Sequence, residues 1–171
     1  MIYPDYYCDK VTDITLELLR ENGIKGVILD VDNTLIDFDE NLLDGVKSWA
    51  NRLKEKGVKL IILSNSNKVE KVKTVAKALE IEYFYFATKP LKRGFKKAQK
   101  QLQLQNAEIA VVGDQIFTDI IGANRSKMFP ILVNPISQKD MWMTKVKRPL
   151  EEKIIQAYVK KQKKKEDEKN V

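Results

Sequence analysis

Histidine is absent from the 171 residues, and cysteine occurs once. Without histidine there is no Ser-His-Asp triad, no phosphohistidine chemistry and no ordinary zinc site. A lone cysteine, Cys8, permits no intramolecular disulfide and is compatible with a reducing compartment. Nor does it head a cysteine-phosphatase loop, which needs Arg six positions on, where Ile14 stands. Cys8 is therefore expected to be a packing residue on an opening helix. No Gly-Lys-Ser/Thr occurs, hence no P-loop, and no Gly-x-Gly, hence no dinucleotide fingerprint. No apolar run approaches the roughly 18–20 residues that span a bilayer, and the first ten residues lack an export-signal pattern. The expected location is cytoplasmic, at most peripheral to the inner face of a membrane.

What remains is an ordinary globular composition, 43% hydrophobic and 32% charged, with a formal charge of +7. That charge favours anionic partners: phosphorylated metabolites, anionic lipid surfaces or nucleic acid. Short apolar runs, "GVILDV", "VKLIILS", "YFYFA", "IAVVG" and "FPILV", read as strands. Between them, residues recur at helical spacing. One helix is expected over Val11 to about Asn22, one over Leu42 to Gly57, one carrying Val69 to Leu79, one opening at Lys89-Pro90 and one near Thr118. Alternation of this kind predicts an α/β fold of three layers, a Rossmann-like parallel sheet with helices on both faces. One domain is expected over 1–150, followed by a basic helix or tail over 151–171.

In an open parallel sheet, ligands gather beyond the carboxyl ends of the strands. Those ends carry Asp30 and Asp32 after the first strand, Ser64 and Asn65 after the second, Lys89 after the third and Asp114 after the fourth. Taken singly, each has a plain alternative. Asp30 and Asp32 could be turn residues, Ser64 a helix N-cap, Lys89 a surface lysine, and Asp119 an acid favoured near a helix start. A calcium loop is excluded because Leu35 and Asn41 occupy its obligatory Gly and Glu positions. Taken together, carboxylates converging from distant segments repel unless a cation or proton intervenes.

"DVDNTL", "LSNS", "KP" at Lys89 and "GDQIFTD" resemble, in order, the four signature motifs of the haloacid dehalogenase superfamily, over about residues 26 to 134. The runs "GDQIFTDIIGANR" and "FPILVNPI" most resemble subfamily IIIA, the YqeG-like group, which also resembles mitochondrial phosphatidylglycerophosphate phosphatases. Lys127 departs from the pattern, since many relatives have Gly at that turn. The resemblance implies a haloacid dehalogenase-like fold and phosphatase chemistry. Asp30 would be the nucleophile forming an aspartyl-phosphate, and Asp32 the general acid and base. Metal ligands would be Asp30, Asp114, the backbone carbonyl of Asp32, and Asp119 directly or behind a ligand, with Mg²⁺ as cofactor. Ser64 and the Asn65 amide, at a helix N-terminus, would hold phosphoryl oxygens, and Lys89 would neutralise their charge. Thr34 would steady the turn, its hydroxyl supporting the Asp30 carboxylate.

Family members with small substrates insert a cap domain after Asp32 or between Ser64 and Lys89, and this chain has room for neither. An open site suits a large or surface-bound substrate, unless a homo-oligomeric neighbour closes it. Lys89, Lys92, Arg93, Lys96, Lys97 and Lys100 occur without an acid, and Lys145, Lys147 and Arg148 follow Trp142 and Met143. Such residues contribute roughly 1 kcal/mol each at an anionic leaflet. The expected substrate, drawn from the resemblance, is phosphatidylglycerophosphate in phospholipid synthesis, with peripheral membrane contact. A soluble phosphomonoester, such as a sugar phosphate or nucleotide, is the alternative. A non-catalytic nucleic-acid module is disfavoured, because acids at the strand ends repel a polyanion without metal.

Overall fold

The computed structural model describes residues 2–137 and 148–169, with the side chains of residues 148 and 165–169 excepted. Trp142, Met143, Lys145 and Lys147, singled out above for membrane contact, lie outside the described residues. Six strands form one sheet: β1 (Tyr6–Cys8), β2 (Gly26–Leu29), β3 (Lys59–Leu63), β4 (Glu82–Phe84), β5 (Ile109–Gly113) and β6 (Phe129–Val133). Their spatial order is β1-β6-β5-β2-β3-β4, and every pairing is parallel. The central strand β2 is buried along its whole length, as expected of a strand covered on both faces.

Alternation along the strands sorts two cores. Val27, Leu29, Leu60, Ile62 and Val112 face one way. They pack against α1 (Leu16–Glu21), α2 (Val46–Glu55) and α3 (Val69–Leu79), with Trp49, Leu53, Val72 and Leu79 among the buried contributors. Ile28, Ile61, Leu63 and Val111 face the other way, against Phe95, Ala98 and Leu102 of α4 (Lys92–Leu102) and Ala123 of α5 (Ile121–Arg125). The three-layer parallel architecture expected from the sequence is therefore the observed one. A further helix, α6 (Arg148–Lys169), places Ile154 against Ile116, Ile120 and Leu132, and the Tyr158 hydroxyl donates to the carbonyl of Asp5 (3.1 Å). Among the described residues, no helix is long and apolar enough to cross a membrane.

Local expectations need correction in five places. Cys8 is not on a helix: it ends β1, an edge strand that pairs with β6 through Tyr6↔Ile131. Burial pushes its thiol up to about 12, assisted by the charges of Asp13 and Asp9, so it is an inert packing residue. The opening helix is broken. Val11–Asp13 forms a 3₁₀ turn, Thr15 is extended, and its hydroxyl caps α1 by accepting from Leu18 N (3.1 Å). Leu42 precedes α2, because Ile36 bridges it in an antiparallel contact and Gly45, at φ 81°, makes the turn into the helix. Pro90 precedes α4 rather than opening it, since residues 88–91 form a turn closed by Leu91 N to Thr88 O (3.0 Å). The segment near Thr118 begins as a π-turn, Ile116–Ile120, and becomes α-helical only at Ile121. Lys127 takes a left-handed backbone (φ 56°), the geometry for which glycine is usual after a helix.

Candidate active site

The sheet places its chemistry at one edge. Asp30 directly follows β2, its amide still on the ladder to Val112 O (3.0 Å). Asp114 follows β5, and Asp119 reaches back from the π-turn. Carboxylate oxygens of Asp30, Asp114 and Asp119 lie within 4.8 Å of one another. Lys89 bridges two of them: its ammonium donates to Asp30 Oδ1 (2.7 Å) and Asp119 Oδ1 (2.6 Å), all three groups being buried. The remaining Asp119 oxygen accepts from Gln115 N (3.2 Å).

Asp119 fits because residue 113 has no side chain. A Cβ there would sit 2.2 Å from the Asp119 carboxyl carbon and Oδ2, so Gly113 is the space into which the carboxylate folds. The π-turn supplies the approach, with both Asp119 N and Ile120 N donating to Gln115 O. Such turns are frequent at functional sites.

The electrostatics are unbalanced without another cation. Two buried carboxylates and the half-buried Asp114 face one ammonium, leaving two formal negative charges. Burial, foremost, raises the Asp30 carboxyl to about 7, with the charges of Asp119 and Asp32 adding to it and Lys89 opposing. Asp114 is likewise pushed well up by burial and by Asp30 and Asp119. Burial alone would lower the Lys89 ammonium, but Asp119 and Asp30 hold it raised. Asp114 Oδ1 is buried with no hydrogen-bond partner, an orphaned oxygen that a hard cation would satisfy. An all-carboxylate donor set with one unused oxygen fits a divalent, oxygen-seeking ion.

Asp32 is held apart from this cluster. Its side chain is 42% exposed and accepts from Lys71 Nζ of α3 (2.5 Å). The two leading acids thus have the different surroundings that divided roles require. Ser64 is not a helix cap: α3 starts at Val69, and the Ser64 hydroxyl accepts from Ser66 N (3.1 Å), closing a turn at the site. Asn65 is no helix N-terminus either. Its side chain clamps Lys89, with Nδ2 donating to Lys89 O (3.0 Å) and Oδ1 accepting from Lys89 N (2.7 Å). Thr34 is buried in the turn, its amide donating to Val31 O (3.2 Å), but its hydroxyl finds no partner and does not reach Asp30.

Two residues were not anticipated. Lys71 is one of several lysines on α3, and nothing in its local sequence sets it apart; only the fold aims it at Asp32. Asn33, left-handed at φ 59°, accepts from Ser137 Oγ (3.0 Å) through its side chain and from Ile136 N (3.0 Å) through its carbonyl. It ties the turn after β2 to the segment after β6. The tolerance of Asn for this backbone is the signal that could have marked it.

Comparison with known proteins agrees with this fold. A family model for haloacid dehalogenase-like hydrolases matches residues 38–127. "Probable phosphatase YqeG" of Bacillus subtilis is 36% identical over 155 residues, 90% of each chain. "Phosphatidylglycerophosphate phosphatase 1, chloroplastic/mitochondrial" of Arabidopsis thaliana is 28% identical over 161 residues, 86% of this chain but 45% of that one. Among solved structures, an uncharacterized protein from Listeria monocytogenes serotype 4b superposes with a TM-score of 0.54 at 26% identity. That match covers 64% of this chain and 78% of the other.

Proposed function

We propose a lipid-borne phosphomonoester as the substrate of this chain, which belongs to the haloacid dehalogenase-like hydrolases and is a phosphatase of that family. The observation that carries the reading is the rim of the site. Phe38 lies in the loop after Asp32, Tyr85 and Phe86 follow β4, and Leu91 follows Lys89. Among the described residues, these four are the large apolar side chains exposed around the strand carboxyl ends, Phe86 at 64%. Nothing inserted between Ser64 and Lys89 covers the mouth, since α3 and β4 fill that interval. An open polar centre within an exposed apolar rim suits a phosphoryl group presented at a bilayer surface. The likeness to a phosphatidylglycerophosphate phosphatase supports that headgroup.

In this reading Asp30 attacks phosphorus through the carboxylate oxygen that Lys89 does not engage. The bond from phosphorus to the glycerol oxygen breaks, and Asp32 delivers a proton to the departing alkoxide. Asp32 then takes a proton from water, which attacks phosphorus, releases inorganic phosphate and restores Asp30. Lys71 must loosen from Asp32 for that proton traffic, and the incoming phosphate is the anion that competes for it. The Ser64 hydroxyl and the Asn65 amide receive phosphoryl oxygens, while the Asn65 side chain keeps Lys89 aimed. Thr34 holds the turn that carries both acids. Asp30, Asp114, Asp119 and the Asp32 carbonyl would hold Mg²⁺, which when bound supplies charge neutralisation for the phosphoryl oxygens.

The test is phosphate release from phosphatidylglycerophosphate in mixed vesicles, set against glycerol phosphate, sugar phosphates and nucleotides. Vesicle turnover is expected to lead the panel. Phe86→Ser with Leu91→Ser should lower it several-fold without changing hydrolysis of p-nitrophenyl phosphate. Faster turnover of a soluble substrate, with vesicle activity indifferent to both substitutions, would reject the lipid assignment.

A further inference from the structure

A second concave surface lies on the α4–α5 side of the sheet and shares no lining residue with the catalytic cluster. It is a groove of about 350 Å³. Lys92 and Lys96 of α4 line one wall, and Arg125, Ser126, Lys127 and Met128, from the end of α5 to the start of β6, line the other. Asn106, just before β5, borders its far end, roughly 16 Å of strand from Asp114, and Lys92, three residues after Lys89, marks its near end.

Three features set it apart from a solvated helix face. First, four cations from two separate elements line one groove that has no acidic lining residue among the described residues. None of the four has an ion-pair partner among the described residues, and the neighbouring acid Glu108 is taken by Lys25 (2.5 Å). Like charges so placed repel unless an anion lies between them. Second, Ser126, which lines the same groove, is a residue 91% buried, and its hydroxyl is buried without a hydrogen-bond partner among the described residues. A buried hydroxyl left unpaired asks for an explanation, and an anionic oxygen in the groove supplies one. Third, Lys127 keeps a side chain on a left-handed backbone where glycine would be unstrained, and that side chain lines the groove.

We infer that this groove is a binding site for a small polyphosphorylated anion, separate from the catalytic centre. Four cations exceed what one phosphate dianion neutralises, and they match two or three linked phosphoryl groups. The volume falls within the range of small-molecule sites. Buried Met128 offers an apolar floor beside the charges, a surface on which a base or ribose can rest. The inference does not depend on the substrate of the catalytic site.

Calorimetric titration of the full chain tests it, with inorganic tripolyphosphate, ATP and orthophosphate as probes in EDTA at low salt. EDTA leaves the catalytic cleft with its uncompensated carboxylates, which repel polyanions. Tripolyphosphate, ATP or both should bind at least tenfold more tightly than orthophosphate. Lys96→Glu with Arg125→Glu should weaken that binding at least tenfold. Lys163→Glu with Lys164→Glu, the same change of net charge on exposed positions of α6, should leave it within twofold. Ser126→Ala should weaken it several-fold at an unchanged melting temperature. Preference for ATP over tripolyphosphate would identify a nucleotide ligand, and equal affinity an inorganic or other phosphate chain; either supports the site. If the glutamate pair melts early, Lys96→Gln with Arg125→Gln carries the same expectation. Absence of binding to the wild-type chain, equal loss in the α6 control, or full binding by the groove variants would overturn the inference.

Discussion

Replacing Gly113 with alanine is expected to damage the site from outside it. The new methyl would lie 2.2 Å from two atoms of the Asp119 carboxylate and 2.6 Å from its Cβ. Asp119 cannot yield freely: it is wholly buried, ion-paired to Lys89 at 2.6 Å and bonded to Gln115 N at 3.2 Å. Gly113 is equally fixed, being paired in register with Leu132. Overpacking of this kind costs about 1–3 kcal/mol, equivalent to a fall of roughly 2–12 °C in Tm for a chain of this size. Displacing a residue that holds or orients a metal ligand typically costs about 10- to 100-fold in metal affinity or activity. Phosphate release, Mg²⁺ titration and thermal melting of Gly113→Ala measure all three. Asp119→Gly supplies the internal control, because it removes the three atoms nearest the methyl. In that background Gly113→Ala should cost less than about 0.5 kcal/mol, the scatter expected of uncoupled sites. Wild-type activity and Tm in the single variant, or an undiminished cost in the double variant, would refute the packing argument.

Three further outcomes follow from the charges. Asp30→Asn should abolish phosphate release. It should not lower the metal-free Tm at pH 8, because it removes a carboxylate whose ionisation burial opposes; substantial turnover would remove Asp30 from the nucleophile's role. Lys71→Met should change stability by only about 0.2–1 kcal/mol, since the pair with Asp32 is partly exposed. It should nevertheless lower kcat/KM by about tenfold, and an unaltered value would show the contact to be incidental. Finally, the folded Asp30 carboxyl is raised to about 7, above its unfolded value, so the folded state holds its proton more tightly. Metal-free stability from this group is full below about pH 4 and is lost as pH rises to about 7. Melting in EDTA should therefore fall between pH 5 and 7, and Mg²⁺ should restore more stability at pH 8 than at pH 5. A Tm that rises over that range in EDTA would contradict the assignment.

The sheet was legible because β2, β3 and β5 are buried on both faces and so appear as unbroken apolar runs. Asp30 and Asp114 were legible because each stands directly beyond such a run, whereas Asp119 was marked only by the resemblance. β1 was not, since three half-buried residues between Asp5 and Asp9 carry no periodic signal and pair only once β6 exists. Helix starts were misplaced wherever a turn used apolar residues for its own packing, as Val11 and Leu42 do. Lys71 could not be distinguished from Lys68, Lys73 or Lys77 by local pattern. Its partner lies 39 positions away in sequence, and the pairing exists only through the packing of α3 beside β2. The second role of Asn65 was hidden for the same reason, since a carboxamide that clamps a backbone 24 residues on leaves no trace nearby.

Lys89 explains why the cluster folds and why it is still incomplete. An ammonium shared by Asp30 and Asp119 offsets part of the cost of burying them, and removing Lys89, which strands both acids, is the kind of loss that typically costs about 3–5 kcal/mol. Yet the same lysine occupies one oxygen of each acid and leaves Asp114 Oδ1 without any partner. A second lysine in place of a dication would supply one charge where two are wanting, and its hydrogen atoms would point donors at the attacking oxygen. A compact oxygen-seeking ion would balance the charge and, in the proposed mechanism, leave Asp30 a free lone pair for phosphorus. The arrangement therefore separates two duties: Lys89 and Gly113 keep the acids gathered in the folded chain, and the remaining charge is reserved for the ion and the phosphoryl group.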